Sequence, residues 1–173
     1  MPPVPPQLRR ICLHWTAGGL TPNATDKAHY HYICAGDGSI HLGKYKPEAN
    51  GKQLTNRDKY AAHCGGGNSF TIGIAVCGGP KGYKPGVFTE ISLERACEEM
   101  ARCCLYYDIN VSPDTVYTHY EFGLRHKGTD SAGKIDINQL PWDDSVKAKD
   151  VGNVIRAKVS WYIAKLKKEA AKK

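Results

Sequence analysis

The spacing of apolar residues changes period at Thr89, and that change constrains the fold more than any other feature of the chain. Before Thr89, apolar residues fall in short runs broken by glycine: ICLHW at 11–15, HYICAG at 31–36, IHLG at 40–43 and TIGIAV at 71–76. Runs of this length, bounded by turn residues, read as strands. The first covers Arg10–Thr16 and ends at His14 and Trp15. Gly36-Asp37-Gly38 joins the strand-like stretches HYHYICAG and SIHLGKY as a hairpin signal. Pro22 to Asp26 reads as a turn or short helical turn, residues 46–60 as irregular, and AAHCGGGNSF as a loop. After Thr89, Leu93, Ala96, Cys97, Met100, Cys104 and Tyr107 recur at three- and four-residue spacing. That spacing predicts a helix capped by Thr89 or Ser92 and running to about Tyr107. A turn at Ser112-Pro113-Asp114 then leads into a strand, TVYTHY, followed by a long glycine- and charge-rich loop over 123–134. Val151, Ile155, Val159, Tyr162 and Leu166 mark a last helix over about 150–168. Strands separated by helices, with one hairpin, indicate a single α/β domain with a mixed central β-sheet flanked by helices.

Composition narrows the classes further. With 41% hydrophobic and 24% charged residues, the chain reads as globular. No run approaches the roughly 18 apolar residues of a membrane span. The start, MPPVPPQLRR, reads as an extended lead-in and lacks the apolar stretch of a secretory signal. Synthesis in the cytoplasm without a signal peptide is therefore expected. Seven cysteines, an odd number without a CxxC pair, read as small buried hydrophobes in a reduced compartment. Cys64, in a glycine-rich stretch, is expected to be the most exposed of them. Residues 147–173 hold nine of the 24 Lys/Arg and two of the 17 Asp/Glu, so they carry the whole net charge of +7. We therefore read 1–146 as the body of the domain. Residues 147–173 read as a basic amphipathic helix, part of the same domain or appended to it. A basic end of this kind favours an anionic partner such as an acidic cell envelope. It lacks the aromatic interleaving of a single-strand binder, so no specific nucleic acid is expected.

Three distant fragments carry chemistry: ICLHWTAGG near the start, THYEF at 118–122 and SAGKIDI at 131–137. They supply His14, His119, Lys134 and Asp136. Two imidazoles and a carboxylate form the three-ligand set of a catalytic zinc ion, which keeps a fourth position open. Asp136 alternates with Ile135 and Ile137, as in a short extended segment with one buried face. Lys134 and Asp136 then share the other face. A lysine there would stabilise the oxyanion formed when water attacks a carbonyl. Spacing alone leaves the bland reading open, since histidines are common in cores and at surfaces. Asn68 and Thr16 either meet substrate or close turns.

The chain resembles the zinc-dependent N-acetylmuramoyl-L-alanine amidases of the phage lysozyme and peptidoglycan recognition protein superfamily. The resemblance covers about residues 9–142. It runs in order through ICLHWTAGG, YHYICAGDGSIHLG, AAHCGGGNSFTIGIAVCGG, TVYTHYEF and SAGKIDINQLPW. It implies a mixed sheet flanked by helices with Zn2+ in a surface groove. It also implies cleavage of the amide between N-acetylmuramic acid and L-alanine in peptidoglycan. By the resemblance, His14, His119 and Asp136 match the metal ligands, and Lys134 and Tyr30 match catalytic residues. His63 matches a substrate-binding histidine, whereas His31 reads as structural. Asp130, in Asp130-Ser131-Ala132-Gly133, stays open as a rival third ligand. One branch of the family carries a glutamate in the strand matching TIGIAV, where this chain has Ala75; that favours the tyrosine–lysine version. A monomeric phage endolysin acting on the cell wall after release is the implied setting. A non-catalytic peptidoglycan-binding module and a bacterial wall-recycling amidase are the alternatives.

Overall fold

The computed structural model describes residues 2 and 5–173. Met1, Pro3 and Val4, part of the expected extended lead-in, lie outside the described residues. The apolar runs become strands β1 (Arg10–Trp15), β2 (Tyr32–Cys34), β3 (Ile40–Leu42), β4 (Thr71–Val76) and β5 (Val116–Thr118). They form one sheet in the order β3-β2-β4-β1-β5. β1 runs parallel to both β4 and β5, and β2 parallel to β4; β3 is antiparallel to β2. The sheet is therefore mixed, and the hairpin falls where the Gly-Asp-Gly turn places it. Gly38 takes φ +88°, a conformation that costs glycine little. Helices α1 (Ala24–His29), α2 (Glu90–Tyr107), α3 (His119–Arg125) and α4 (Ala148–Ala171) complete the domain, with a 3-10 turn at Pro47–Asn50.

Alternation along β1 divides the molecule into two faces. Ile11, Leu13 and Trp15 join Ile72, Ile74 and Val76 in the main core against α2 and α4. Cys12 and His14 point the other way, because neighbouring strand residues alternate. On that side Cys12 meets Cys64, Tyr117 and Phe122. The two candidate caps of α2 act together: Thr89 accepts from the Ser92 amide, and Ser92 accepts from the Thr89 amide. On α4, Val151, Ile155, Val159 and Tyr162 are buried against the core. Each such side chain contributes about 1.5–3 kcal/mol by leaving water. Glu94 of α2 receives hydrogen bonds from Lys158 and from Tyr162 Oη, which fastens α4 to the first part of α2.

Three local expectations differ from the structure. The strand TVYTHY stops at Thr118, and His119 opens α3 instead of ending the strand. The cause is a capping box: Thr118 Oγ1 accepts from the Glu121 amide at 3.1 Å, and Glu121 Oε1 accepts from the Thr118 amide at 3.1 Å. Glu121 is held in turn by Arg156 of α4, which also donates to the Val116 carbonyl. Second, the segment around Asp136 is a turn rather than an extended stretch. Ile137 is fully buried, but Ile135 is 50% exposed, so the two isoleucines do not share a face. Third, Cys64 is buried, as are the other six cysteines, and none is paired. Asn68 Oδ1 accepts from the His63 and Cys64 amides, folding the glycine-rich loop back on itself and burying the thiol.

Candidate metal centre

Three elements converge on the face of the sheet away from the main core. β1 supplies His14, the first residue of α3 supplies His119, and the turn after α3 supplies Asp136. That turn is pinned against α3. The Tyr120 amide donates to the Asp136 carbonyl at 2.6 Å. At Gly123 a Cβ would lie 2.2 Å from the Ser131 carbonyl oxygen, so only glycine permits the approach. His14 Nδ1 lies 3.1 Å from His119 Nδ1 and 3.1 Å from Asp136 Oδ2. His119 Nδ1 lies 3.4 Å from the same oxygen. Tetrahedral coordination with bonds of about 2.0–2.1 Å separates ligand atoms by roughly 3.3–3.4 Å. Two nitrogens and a carboxylate oxygen at this mutual spacing fit a zinc-sized ion. Asp136, rather than Asp130, joins the two histidines; the Asp130 residue is exposed and its Cβ side packs beside Gly65.

A second group, Cys12, His14 and His63, also brings donor atoms close together. Burial pushes the Cys12 thiol well above its ordinary pKa, which keeps it neutral. A cation there would also replace the 2.9 Å hydrogen bond between His14 Nε2 and His63 Nδ1. The carboxylate-bearing group is therefore the better cation site.

The remaining candidates stand differently towards the triad. The Tyr30 ring lies 5.1 Å from the His14 ring, centre to centre. Burial, and then the Asp136 and Asp26 charges, push its phenol above the ordinary value, so it stays protonated. Lys134 is exposed, and its ammonium makes no hydrogen bond or ion pair among the described residues. His63 is buried behind His14, and its Nε2 lies 3.3 Å from the Thr71 carbonyl. Burial and the facing His14 hold His63 neutral. His31 accepts from the Gly73 amide and reaches Asn50 Oδ1 at 2.9 Å, a structural role. Ala75 is paired in register with His14 and buried, so no carboxylate projects from that position of β4. Thr16 closes the turn after β1 by accepting from the Gly18 and Gly78 amides. Sequence reasoning missed Ser131, whose Oγ lies 2.9 Å from His119 Nε2. The large groove between the 3-10 turn and the ends of α2 and α4, lined by Tyr32, Tyr45, Tyr106 and Tyr107, lies away from the triad.

Burial works against the charge on His119, but the hydrogen bonds and charges of Asp136 and Cys64 together outweigh it and raise the pKa to about 9. Burial would raise Asp136, yet its hydrogen bonds with His119 and His14 pull it down to about 2. His14 moves the other way, because burial dominates there. A folded pKa above the ordinary 6.5 means that His119 contributes stability below pH 6.5. That contribution disappears as pH rises through about 9. Chelator-treated protein is thus expected to lose stability between pH 6.5 and 9, and His119→Ala to flatten that slope. Urea unfolding across the range checks this; a wild-type curve as flat as the variant's would contradict it.

This geometry coincides with a sequence match over residues 4–136 to the N-acetylmuramoyl-L-alanine amidase family. The chain belongs to that family. Among solved structures, Staphylococcus aureus hydrolase AmiA in complex with its ligand superposes with a TM-score of 0.53 at 16% identity, covering 91% of this chain and 73% of that one. N-acetylmuramoyl-L-alanine amidase LysC from Clostridium intestinale gives 0.52 at 16% identity, covering 89% and 86%. Drosophila peptidoglycan recognition protein SD gives 0.47 at 16%, covering 75% and 80%. At this identity AmiA and LysC share the fold, a mixed sheet with flanking helices, with this family member. No curated protein matches the chain.

Proposed function

We propose that the protein is a zinc-dependent hydrolase of the amide between N-acetylmuramic acid and L-alanine in peptidoglycan. The observation that carries this reading is the convergence of His14 Nδ1, His119 Nδ1 and Asp136 Oδ2 within 3.1–3.4 Å of one another, in a chain of the amidase family. Those three residues would hold the ion. When bound, zinc supplies Lewis acidity and acidifies a nucleophilic water. The protein's own groups do the rest. Asp136 and the two neutral imidazoles keep the centre's net charge near +1, which preserves its electrophilic character. Tyr30, protonated and beside His14, donates to an oxygen of the reacting group and orients it. The Lys134 ammonium, without a partner among the described residues, offers its charge to the oxyanion that develops on the scissile carbonyl. Main-chain contacts at Tyr120 and Gly123 keep the Asp136 turn from drifting on its helix.

Two further features bear on the setting. Tyr30 and Lys134 are present, and Ala75 leaves no carboxylate on β4 beside His14. This combination favours the phage-type reading, in which the protein is made in the cytoplasm and acts on the wall after release. The test is digestion of intact peptidoglycan with and without a chelator, with mass spectrometry of the new ends. Chelator-sensitive release of stem peptides bearing a free L-alanine amine is expected. Tight binding to the wall with every lactyl amide intact would mean a recognition module instead.

A further inference from the structure

The Nδ1 atoms of His14 and His119 face each other, so each ring turns its Nε2 outward. Neither Nε2 is idle. His14 Nε2 lies 2.9 Å from His63 Nδ1, and His63 Nε2 lies 3.3 Å from the Thr71 carbonyl oxygen. A carbonyl can only accept. His63 therefore carries its hydrogen on Nε2 and presents a bare lone pair at Nδ1. That lone pair can only accept, so His14 must donate from Nε2. Its own Nδ1 is left as a lone pair aimed at the triad. The second histidine is fixed by the same logic. His119 Nε2 lies 2.9 Å from Ser131 Oγ, and Ser131 Oγ donates to the Gly65 carbonyl at 2.7 Å. The hydroxyl's single hydrogen is committed to that carbonyl, so it accepts from His119 Nε2. The neutral His119 ring likewise presents Nδ1 to the triad.

Both chains of donors end on backbone carbonyls, and both use the glycine-rich loop, through His63 and Gly65. We infer that this loop sets the tautomers of the two histidines, with His63 and Ser131 as positioning residues that hold both Nδ1 lone pairs towards the metal centre. This assigns His63 to the support of His14 rather than to substrate. The fold leaves room for it: at Gly73 of β4 a Cβ would come within 2.5 Å of the His63 ring. Asn68 fixes the loop from the other side through the His63 and Cys64 amides. The consequence is electrostatic. With both Nε2 hydrogens committed, three acceptor atoms meet at 3.1–3.4 Å, an arrangement that calls for a shared proton or a cation between them. Outer partners of this kind fix ring orientation and raise ligand basicity.

The inference rests on the zinc reading, and the experiment separates the two. The full chain is stripped of metal, and the His14 imidazole nitrogens are read by 15N NMR at neutral pH. Zinc affinity is measured by chelator competition for wild type, His63→Ala, His63→Asn and Ser131→Ala, with thermal unfolding as a check on folding. His14 is expected as the Nε2–H tautomer. His63→Ala is expected to weaken zinc binding by about 10–100-fold, the range typical of lost outer partners. His63→Asn places an amide oxygen where Nδ1 stood and is expected to recover most of that loss. Ser131→Ala is expected to weaken binding about tenfold. A wild-type His14 protonated on Nδ1 overturns the inference, as does a folded His63→Ala that binds zinc like wild type. If His63→Ala does not fold, the wild-type tautomer and the Asn variant decide. A wild type that binds no zinc removes the zinc reading, and the metal-free tautomer then decides this inference by itself.

Discussion

Asp136→Ala is expected to lose metal and hydrolysis together, whereas Asp130→Ala keeps both. Asp136 is the only carboxylate in the donor triad, and it lies 3.1 and 3.4 Å from the two histidine nitrogens. Removing it deletes one of three ligands and the centre's only negative charge. The loss of affinity should exceed the roughly 100-fold upper end seen when outer partners are removed. Amide hydrolysis should fall to background with it. The variant has a second signature. Asp136, together with Cys64, holds His119 above its ordinary pKa against burial, so in Asp136→Ala that histidine should deprotonate at lower pH. Metal content by elemental analysis and product release from peptidoglycan are the direct measurements. Full activity in Asp136→Ala, or loss in Asp130→Ala instead, would show that the ligand set is drawn wrongly.

Lys134→Ala is expected to behave differently: metal content unchanged, kcat reduced about 10²–10³-fold, and KM little affected. That magnitude is the usual cost of removing one group that stabilises a developing oxyanion. The reasoning starts from what Lys134 does not do. Its ammonium is exposed and engages no partner among the described residues, so truncation should leave the fold intact. It sits two residues from Asp136 on a turn anchored by the Tyr120 amide and Gly123. Lys134→Arg keeps the charge in a different shape and should retain part of the rate. Steady-state kinetics on a soluble muramyl-peptide substrate separates the outcomes. A rise in KM with unchanged kcat would make Lys134 a substrate anchor rather than an oxyanion group.

How much of this was legible in the sequence depends on how far each signal reaches along the chain. β1 and β4 follow from short continuous apolar runs bounded by turn residues, since both of their faces are buried, and α2 follows from apolar residues recurring about every 3.6 positions. The hairpin follows from its glycine turn. The end of β5 was also written locally, in Thr118-His119-Tyr120-Glu121, but the apolar run through TVYTHY masked the capping box. The Asp136 turn was harder. Its alternation with two isoleucines imitates a strand, and only packing against α3 shows that one of them faces solvent.

The triad itself needed order in the sheet. His14 and Asp136 are 122 residues apart, and His14 and His119 are 105 apart. The residue types, and their resemblance to an amidase family, named the three candidates and the reaction they suggest. Which carboxylate joins them was decided by the fold, through the placement of β5 beside β1 and the close approach of the next turn to Gly123. The supporting roles of His63 and Ser131 were beyond any local pattern. A tautomer is set by what each ring's second nitrogen touches, and here those contacts come from a loop folded back by Asn68. The sequence by itself determined most of the strands, the two long helices, the candidate donor residue types and the unequal placement of charge, because each is a property of residues near one another or of composition. Only the tertiary structure decided which donors converge and which lone pairs they present, because hydrogen bonds and coordination act over about 3 Å regardless of distance along the chain.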